Sequence, residues 1–245
     1  MQDLSKIRVI AHRGASGYAP ENTLAAFALA AKQGARAIEC DAKLTRDGQV
    51  VLIHDDRLDR TTSGRGSVKK FDLSAIRKLD AGSWFGPRFA GERVATLKEG
   101  LALWAETGLF PQIEIKPCFG RAAETGAAVA TLTARAWPRS LPRPVFSSFA
   151  QRSLAAAREV APELPRAWLT ERLPLDWKRR LERLDCAALH CSHKYLTAAK
   201  AKKVKDAGFA LRCYTVNDAA RAKELLSWGV DAVFTDYPDR ILAAL

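Results

Sequence analysis

Short apolar runs alternate with amphipathic helical patterns along most of this chain, and no other feature restricts its fold as strongly. From Gln112 onward the runs are QIEIK, PVFSSF, RAWLT, CAALHC, ALRCYTV and DAVFTD, each of a length suited to a buried strand. Helical patterns over residues 121–137, 151–160, 175–184, 198–207, 218–228 and 238–245 separate them. Ser148 with Gln151, Thr197 and Asn217 are the expected N-caps, and Gly208 and Gly229 the expected stops. With further strands at 7–11 and 37–41 the chain holds eight βα units, which predicts an α/β fold of the (β/α)8 TIM-barrel class. An open doubly wound sheet uses the same alternation, but no GxGxxG or P-loop sequence follows the first strand.

The rhythm breaks twice in the first half. Asn22 is the expected cap of a helix carrying Leu24, Phe27, Leu29 and Ala31 that stops at Gly34. Thr45-Arg46-Asp47-Gly48 then reads as a turn and residues 50–53 as a short strand, a hairpin that brings His54 back over the strand ends. Residues 56–110 read as an insertion within a single catalytic barrel domain spanning 1–245. In it Asp72 is placed to cap a short helix through Leu79, 81–91 forms an aromatic loop, and Thr96 with Glu99 makes a capping box for a helix ending near Gly108. Trp84 and Phe85 are expected to pack the insertion onto the barrel rather than to line a pocket.

In such a barrel the chemistry gathers where strands end, and the ionisable residues of this chain collect there. The first run stops at His12-Arg13-Gly14, the second at Glu39-Cys40-Asp41, the short strand at His54, and QIEIK carries Glu114 and Lys116. Strand side chains alternate faces, so Glu39 and Asp41 share one face, as do Glu114 and Lys116. Three converging carboxylates need a cation, and an all-oxygen set favours a hard divalent ion, Mg²⁺ or Ca²⁺, over zinc. The competing description pairs these acids with Arg13 and Lys116 in a polar core; two adjacent histidines favour the metal site.

Two imidazoles suit a reaction that needs both a base and an acid near neutral pH, and phosphodiester hydrolysis fits. His12 and His54 would exchange protons with nucleophile and leaving alcohol. Arg13, whose planar fork can hold two oxygens, would clamp the phosphate, with Lys116 as a point charge. His190 and His193 lie near another strand end and are assigned loop or packing roles.

Five cysteines without CxxC spacing read as buried thiols in a reducing compartment. No apolar run approaches the roughly 18 residues of a membrane span, and the first ten residues hold no leader-like apolar stretch, so the expected setting is cytoplasmic without stable membrane association. The net charge of +12 raises a nucleic-acid-binding module as a non-enzymatic alternative. Such a module leaves the converging acids unexplained, because carboxylates repel a phosphate backbone. The one basic run, residues 200–205, fits a solvated helix face, so no nucleic-acid partner is expected.

The segments AHRGASGYAPENTLAAF, IECDAKLTRDG, VVLIHDDRLDRTTSGRG, LDAGSWF, IEIKP, FSSF and VFTDYP together resemble the glycerophosphodiester phosphodiesterase family, from about residue 7 to 238. The resemblance implies a (β/α)8 barrel with a small insertion after the HD motif. It also implies hydrolysis of glycerophosphodiesters such as glycerophosphocholine and glycerophosphoethanolamine to glycerol 3-phosphate and an alcohol. It implies that His12 and His54 are the acid/base pair, that Glu39, Asp41 and Glu114 bind the divalent ion, and that Arg13 and Lys116 contact phosphate. In related phosphodiesterases a hydroxyl of the substrate attacks phosphorus first, giving a cyclic phosphate. A lysophospholipid or another phosphodiester is the alternative substrate for the same barrel group. Tyr214 stands where many members carry Trp, and Ala95 where many carry Pro, departures that bear on selectivity.

Overall fold

The structure, a computed structural model, describes residues 6–245; the reading of the first residues as free of an apolar leader falls mainly on 1–5, outside the described residues. The strands are β1 (Val9–His12), β2 (Ala37–Leu44), β3 (Val50–Leu52), β4 (Phe110–Ile115), β5 (Val145–Ser148), β6 (Arg166–Thr170), β7 (Ala188–Ser192), β8 (Ala210–Tyr214) and β9 (Ala232–Thr235). The helices are α1 (Leu24–Lys32), α2 (Leu73–Ile76), α3 (Leu97–Thr107), α4 (Ala122–Ala136), α5 (Gln151–Val160), α6 (Trp177–Arg183), α7 (Ala198–Asp206), α8 (Ala219–Ser227) and α9 (Pro238–Ala244).

Eight strands run parallel in the order β1-β9-β8-β7-β6-β5-β4-β2, and the β1–β2 pairing closes the ring, so the fold is a (β/α)8 barrel. β3 hangs antiparallel on the far end of β2 and completes the expected hairpin. It pairs Leu52 with Ala42, and Ile53 N then donates to Asp41 O at 2.9 Å. β2 itself runs to Leu44, three residues beyond its expected end, because the hairpin keeps its backbone paired.

Apolar faces of the helices close over the strands. Phe27, Trp104, Leu101, Ile38 and Ile113 form one side of that core, and Leu154, Leu181, Val204, Leu211, Leu225 and Val233 the other. α3 begins with the expected capping box, in which Thr96 Oγ1 accepts from Glu99 N while Glu99 accepts from Thr96 N, and Gly108 ends it with φ +70. Burying a fully enclosed Leu or Phe side chain contributes roughly 1.5–3 kcal/mol, so this double layer carries the fold.

Three expected caps fall elsewhere. α1 is capped by Thr23, whose side chain accepts from Ala26 N, and α8 by Asp218, which accepts from Arg221 N. Asn22 and Asn217 turn into the barrel mouth instead. Ser148 Oγ donates to Ile115 O at 2.5 Å, and Ala150 occupies the cap position of α5. Asp72 heads α2 without a side-chain cap and pairs with Arg46. Trp84, Phe85 and Phe89 pack edge-on against one another; Trp84 is 41% exposed, so the aromatic loop is only partly covered.

Candidate active site

Register brings the acids together. β1 and β2 align His12 with Glu39, and β2 and β4 align Asp41 with Glu114, so the three acids meet the C-terminal end of β1 although β2 itself runs on to Leu44. One carboxylate oxygen from each of Glu39, Asp41 and Glu114 lies within 4.8 Å of the others. The protein anchors one oxygen of two of them. Glu39 Oε2 accepts from Arg13 N at 3.1 Å, and Asp41 Oδ2 accepts from Asn22 Nδ2 at 2.8 Å. Glu39 Oε1 and Asp41 Oδ1 are buried with no hydrogen-bond partner. Buried acceptors of this kind are normally satisfied, and an all-oxygen cluster with two open oxygens fits a hard divalent cation.

Electrostatics agree with an acid cluster short of positive charge. Burial, with Asp41 and Glu114 nearby, pushes the Glu39 carboxyl well above the ordinary range, and burial with Asp41 raises Glu114 to about 6. Burial also works to raise Asp41, but Arg13 and Lys116 hold it down at about 2.

Arg13 and Lys116 flank the cluster. Arg13 has φ +57 and is followed by Gly14 at φ +84, a left-handed turn that aims the guanidinium back over β2. Its Nε lies 3.1 Å from Asp41 Oδ2 as an ion pair, without the alignment of a hydrogen bond, and Nη1 donates to Glu21 Oε1 at 2.8 Å. Lys116 Nζ donates to Glu114 Oε1 at 2.9 Å. Glu21 also accepts two bonds from Arg60, which donates in turn to Asp55, so one chain of charge-assisted bonds joins Arg13 to the His54 loop.

Both histidines of the expected pair reach the same cavity, of about 310 Å³, and both are held by an aspartate at Nδ1. His12 Nδ1 lies 2.7 Å from Asp236 Oδ1, and His54 Nδ1 lies 2.6 Å from Asp55 Oδ1. An ionised aspartate accepts a hydrogen bond from Nδ1–H and leaves Nε2 free to exchange a proton, the arrangement that orients a general acid or base. Asp236 is fixed by Asn217 Nδ2 at 2.7 Å and Ser16 Oγ at 3.0 Å. Burial lowers the pKa of His54, and the cations Arg13 and Lys116 lower it further against the pull of Asp41 and Asp55.

Sequence reasoning omits Asp236, Asn217, Asn22 and the Glu21–Arg60 pair. Asp236 and Asn217 follow strand ends, in VFTD and TVND, which is the one local signal they carry. Phe149, Leu169, Tyr214 and Phe234 wall the cavity, with Phe149 edge-on to Tyr214 at 6.1 Å; Trp84 and Phe85 do not reach it. Tyr214 Oη donates to Thr170 O at 2.9 Å. His190, assigned above to a loop or packing role, packs on Phe234 and also lines this cavity. His193 lies just past β7 and donates its backbone N–H to Tyr214 O. All five cysteines are free and buried.

A closed parallel barrel with ionisable residues crowded at the C-terminal mouth is the layout of a (β/α)8-barrel enzyme. The sequence model of the Glycerophosphoryl diester phosphodiesterase family matches residues 12–240. A glycerophosphodiester phosphodiesterase of Caldanaerobacter subterraneus subsp. tengcongensis is 38% identical, over 97% of each chain. A second, from Bacillus subtilis, is 35% identical over 96% of this chain and 85% of its own length. An Oleispira antarctica phosphodiesterase, solved in complex with the product sn-glycerol-3-phosphate, is 42% identical and superposes with a TM-score of 0.94, covering 97% of this chain and 96% of that one. The chain belongs to the glycerophosphodiester phosphodiesterase family and is a phosphoric diester hydrolase.

Proposed function

We propose that the chain is one catalytic barrel domain that hydrolyses glycerophosphodiesters, with glycerophosphocholine and glycerophosphoethanolamine as substrates, to glycerol 3-phosphate and an alcohol. The observation that carries this reading is the pairing of an open acid cluster with two imidazoles, each fixed at Nδ1 by an aspartate beside the same cavity. Glu39, Asp41 and Glu114 would hold a divalent ion, Mg²⁺ or Ca²⁺, which when bound supplies positive charge for the phosphoryl oxygens. Arg13 and Lys116 bind the same oxygens from the β1 and β4 sides.

His12 and His54 divide the proton transfers. One Nε2 takes the proton of the attacking hydroxyl, and the other returns a proton to the leaving alcohol's oxygen. With the substrate's 2-hydroxyl as first nucleophile the intermediate is a cyclic phosphate. Water then opens it, and the imidazoles exchange roles. The segment after Asp56 and the wall at Phe149 and Tyr214 face the variable alcohol. The product held by the Oleispira enzyme supports glycerol 3-phosphate as the common product, and five free thiols support a reducing, cytoplasmic setting.

A substrate panel assayed with chelator and with added Mg²⁺ or Ca²⁺ tests this reading. Turnover of glycerophosphocholine should vanish on chelation and return with the ion. Full turnover after exhaustive metal removal would falsify the role given to the three acids.

A further inference from the structure

His190 sits on β7, four strands from β2 in either direction around the barrel, and its side chain is fully buried against the cavity. Arg212 Nη1 lies 3.1 Å from its Nε2. A guanidinium donates and cannot accept, so Nε2 is the acceptor and the single ring proton resides on Nδ1. That Nδ1 has no hydrogen-bond partner in the protein. The ring is held in place by Phe234, with centroids 5.1 Å apart. Burial and the adjacent Arg212 keep the imidazole neutral by lowering its pKa well below the ordinary value. The result is an N–H donor with nothing from the protein to receive it, on a buried ring that lines the cavity whose other wall carries the acids and cations.

The direction of the substrate follows from the same geometry, and the step rests on the hydrolysis proposed above. Arg13 and Lys116, with the ion that the three carboxylates would hold, place the phosphate on the β1, β2 and β4 side, so a substituent of the phosphate spans toward β7. Phe149, 47% exposed, stands at the open rim, where an alcohol of variable size can extend into solvent. A completely buried donor suits the small, hydroxyl-bearing substituent common to every substrate. We propose that His190 is a glycerol-recognition residue whose Nδ1–H donates to a hydroxyl oxygen of the glyceryl group. Arg212 acts as a positioning residue that fixes the donating tautomer.

Calorimetric titration of the wild type, His190→Phe and His190→Asn with sn-glycerol 3-phosphate and with inorganic phosphate, at one fixed divalent-ion concentration, tests the assignment. The wild type should prefer glycerol 3-phosphate. His190→Phe should lose about tenfold or more of that affinity, the scale of one hydrogen bond to a buried donor, while phosphate affinity stays the same. His190→Asn, which keeps an amide N–H near the Nδ1 position, should recover part of the loss. Equal weakening toward both anions marks a structural role and overturns the proposal, as does no change toward either, or no preference in the wild type. Should the Phe variant fail to fold, ¹⁵N spectra of wild-type histidines decide. A protonated His190 Nδ1 that shifts with glycerol 3-phosphate and not with phosphate supports the donor, and a bare Nδ1 overturns it. Turnover of glycerophosphocholine is measured separately, so that its absence with the glycerol preference intact sinks the hydrolysis reading alone.

Discussion

Each proposed proton carrier owes its orientation to a single carboxylate. Replacing His12 or His54 with Ala should lower kcat by at least about a hundredfold, the usual contribution of an acid or base. Near wild-type turnover in either variant removes that residue from the mechanism. Asp236→Asn should also slow turnover, but less than loss of His12 itself, since the imidazole remains and only its tautomer and orientation are released. The metal acids lead to a proton-linked prediction. Burial and Asp41 raise Glu114 to about 6, and burial raises Glu39 as well, so the metal-free fold holds protons that the unfolded chain releases. That contribution is fully present below the ordinary carboxylate pKa and is lost as pH rises through about 6. The proposed divalent ion would replace those protons. Its binding near pH 6 should therefore release protons, read from the dependence of the binding heat on buffer ionisation, and should raise Tm more at about pH 7 than at about pH 5. An equal rise at both pH values would separate the ion from these carboxylates. His12, Arg13, Glu39, Asp41, His54 and Glu114 were legible in the sequence because each interrupts or ends an apolar run. Asp236 was not, since its histidine lies 224 positions away and only ring closure makes them neighbours. Asn22 and Asn217 look locally like helix caps, and a neighbouring Thr or Asp does that work instead.

The turn from β1 into α1 is the element on which the site depends most closely. Gly14 has φ +84, and a Cβ there would lie 2.6 Å from the backbone of Ala26 in α1. Gly14→Ala combines backbone strain with overpacking and should lower unfolding stability by roughly 1–3 kcal/mol, measured by urea denaturation. It should also depress turnover, because the displaced residues are His12 and Arg13. Wild-type stability and turnover together would show that the turn adapts. Most elements were readable from period and capping chemistry, α3 most fully because both halves of its capping box are encoded three residues apart. The run of β2 past Asp41 was not, since its last residues are strand only by pairing with β3 across the turn.

At the scale of the molecule the two mouths of the barrel differ in kind. The N-terminal end opens a cavity of about 1050 Å³ lined by Ala37, Ala188, Ala210 and Ala232 together with Arg166, Arg212 and Asp231, while the smaller cavity at the other end holds His12 and His54 with Glu39 and Glu114. Volume therefore does not mark the chemistry; the strand termini do. The net charge of +12 should act on encounter rather than on the chemical step. Raising NaCl from about 20 to about 300 mM should lower kcat/KM for a net-anionic glycerophosphodiester more than for zwitterionic glycerophosphocholine, with kcat little changed. Equal sensitivity of both substrates would point away from long-range attraction. The closure of the ring between β1 and β9 also sets an order in time. A chain leaving the ribosome has its three metal-site acids in hand once Glu114 has emerged, yet His12 gains its aspartate only after the last strand arrives. A chain truncated before residue 236 would keep Glu39, Asp41 and Glu114 but lack the carboxylate that orients His12, so the proposed proton transfer depends on β9 and the residue that follows it.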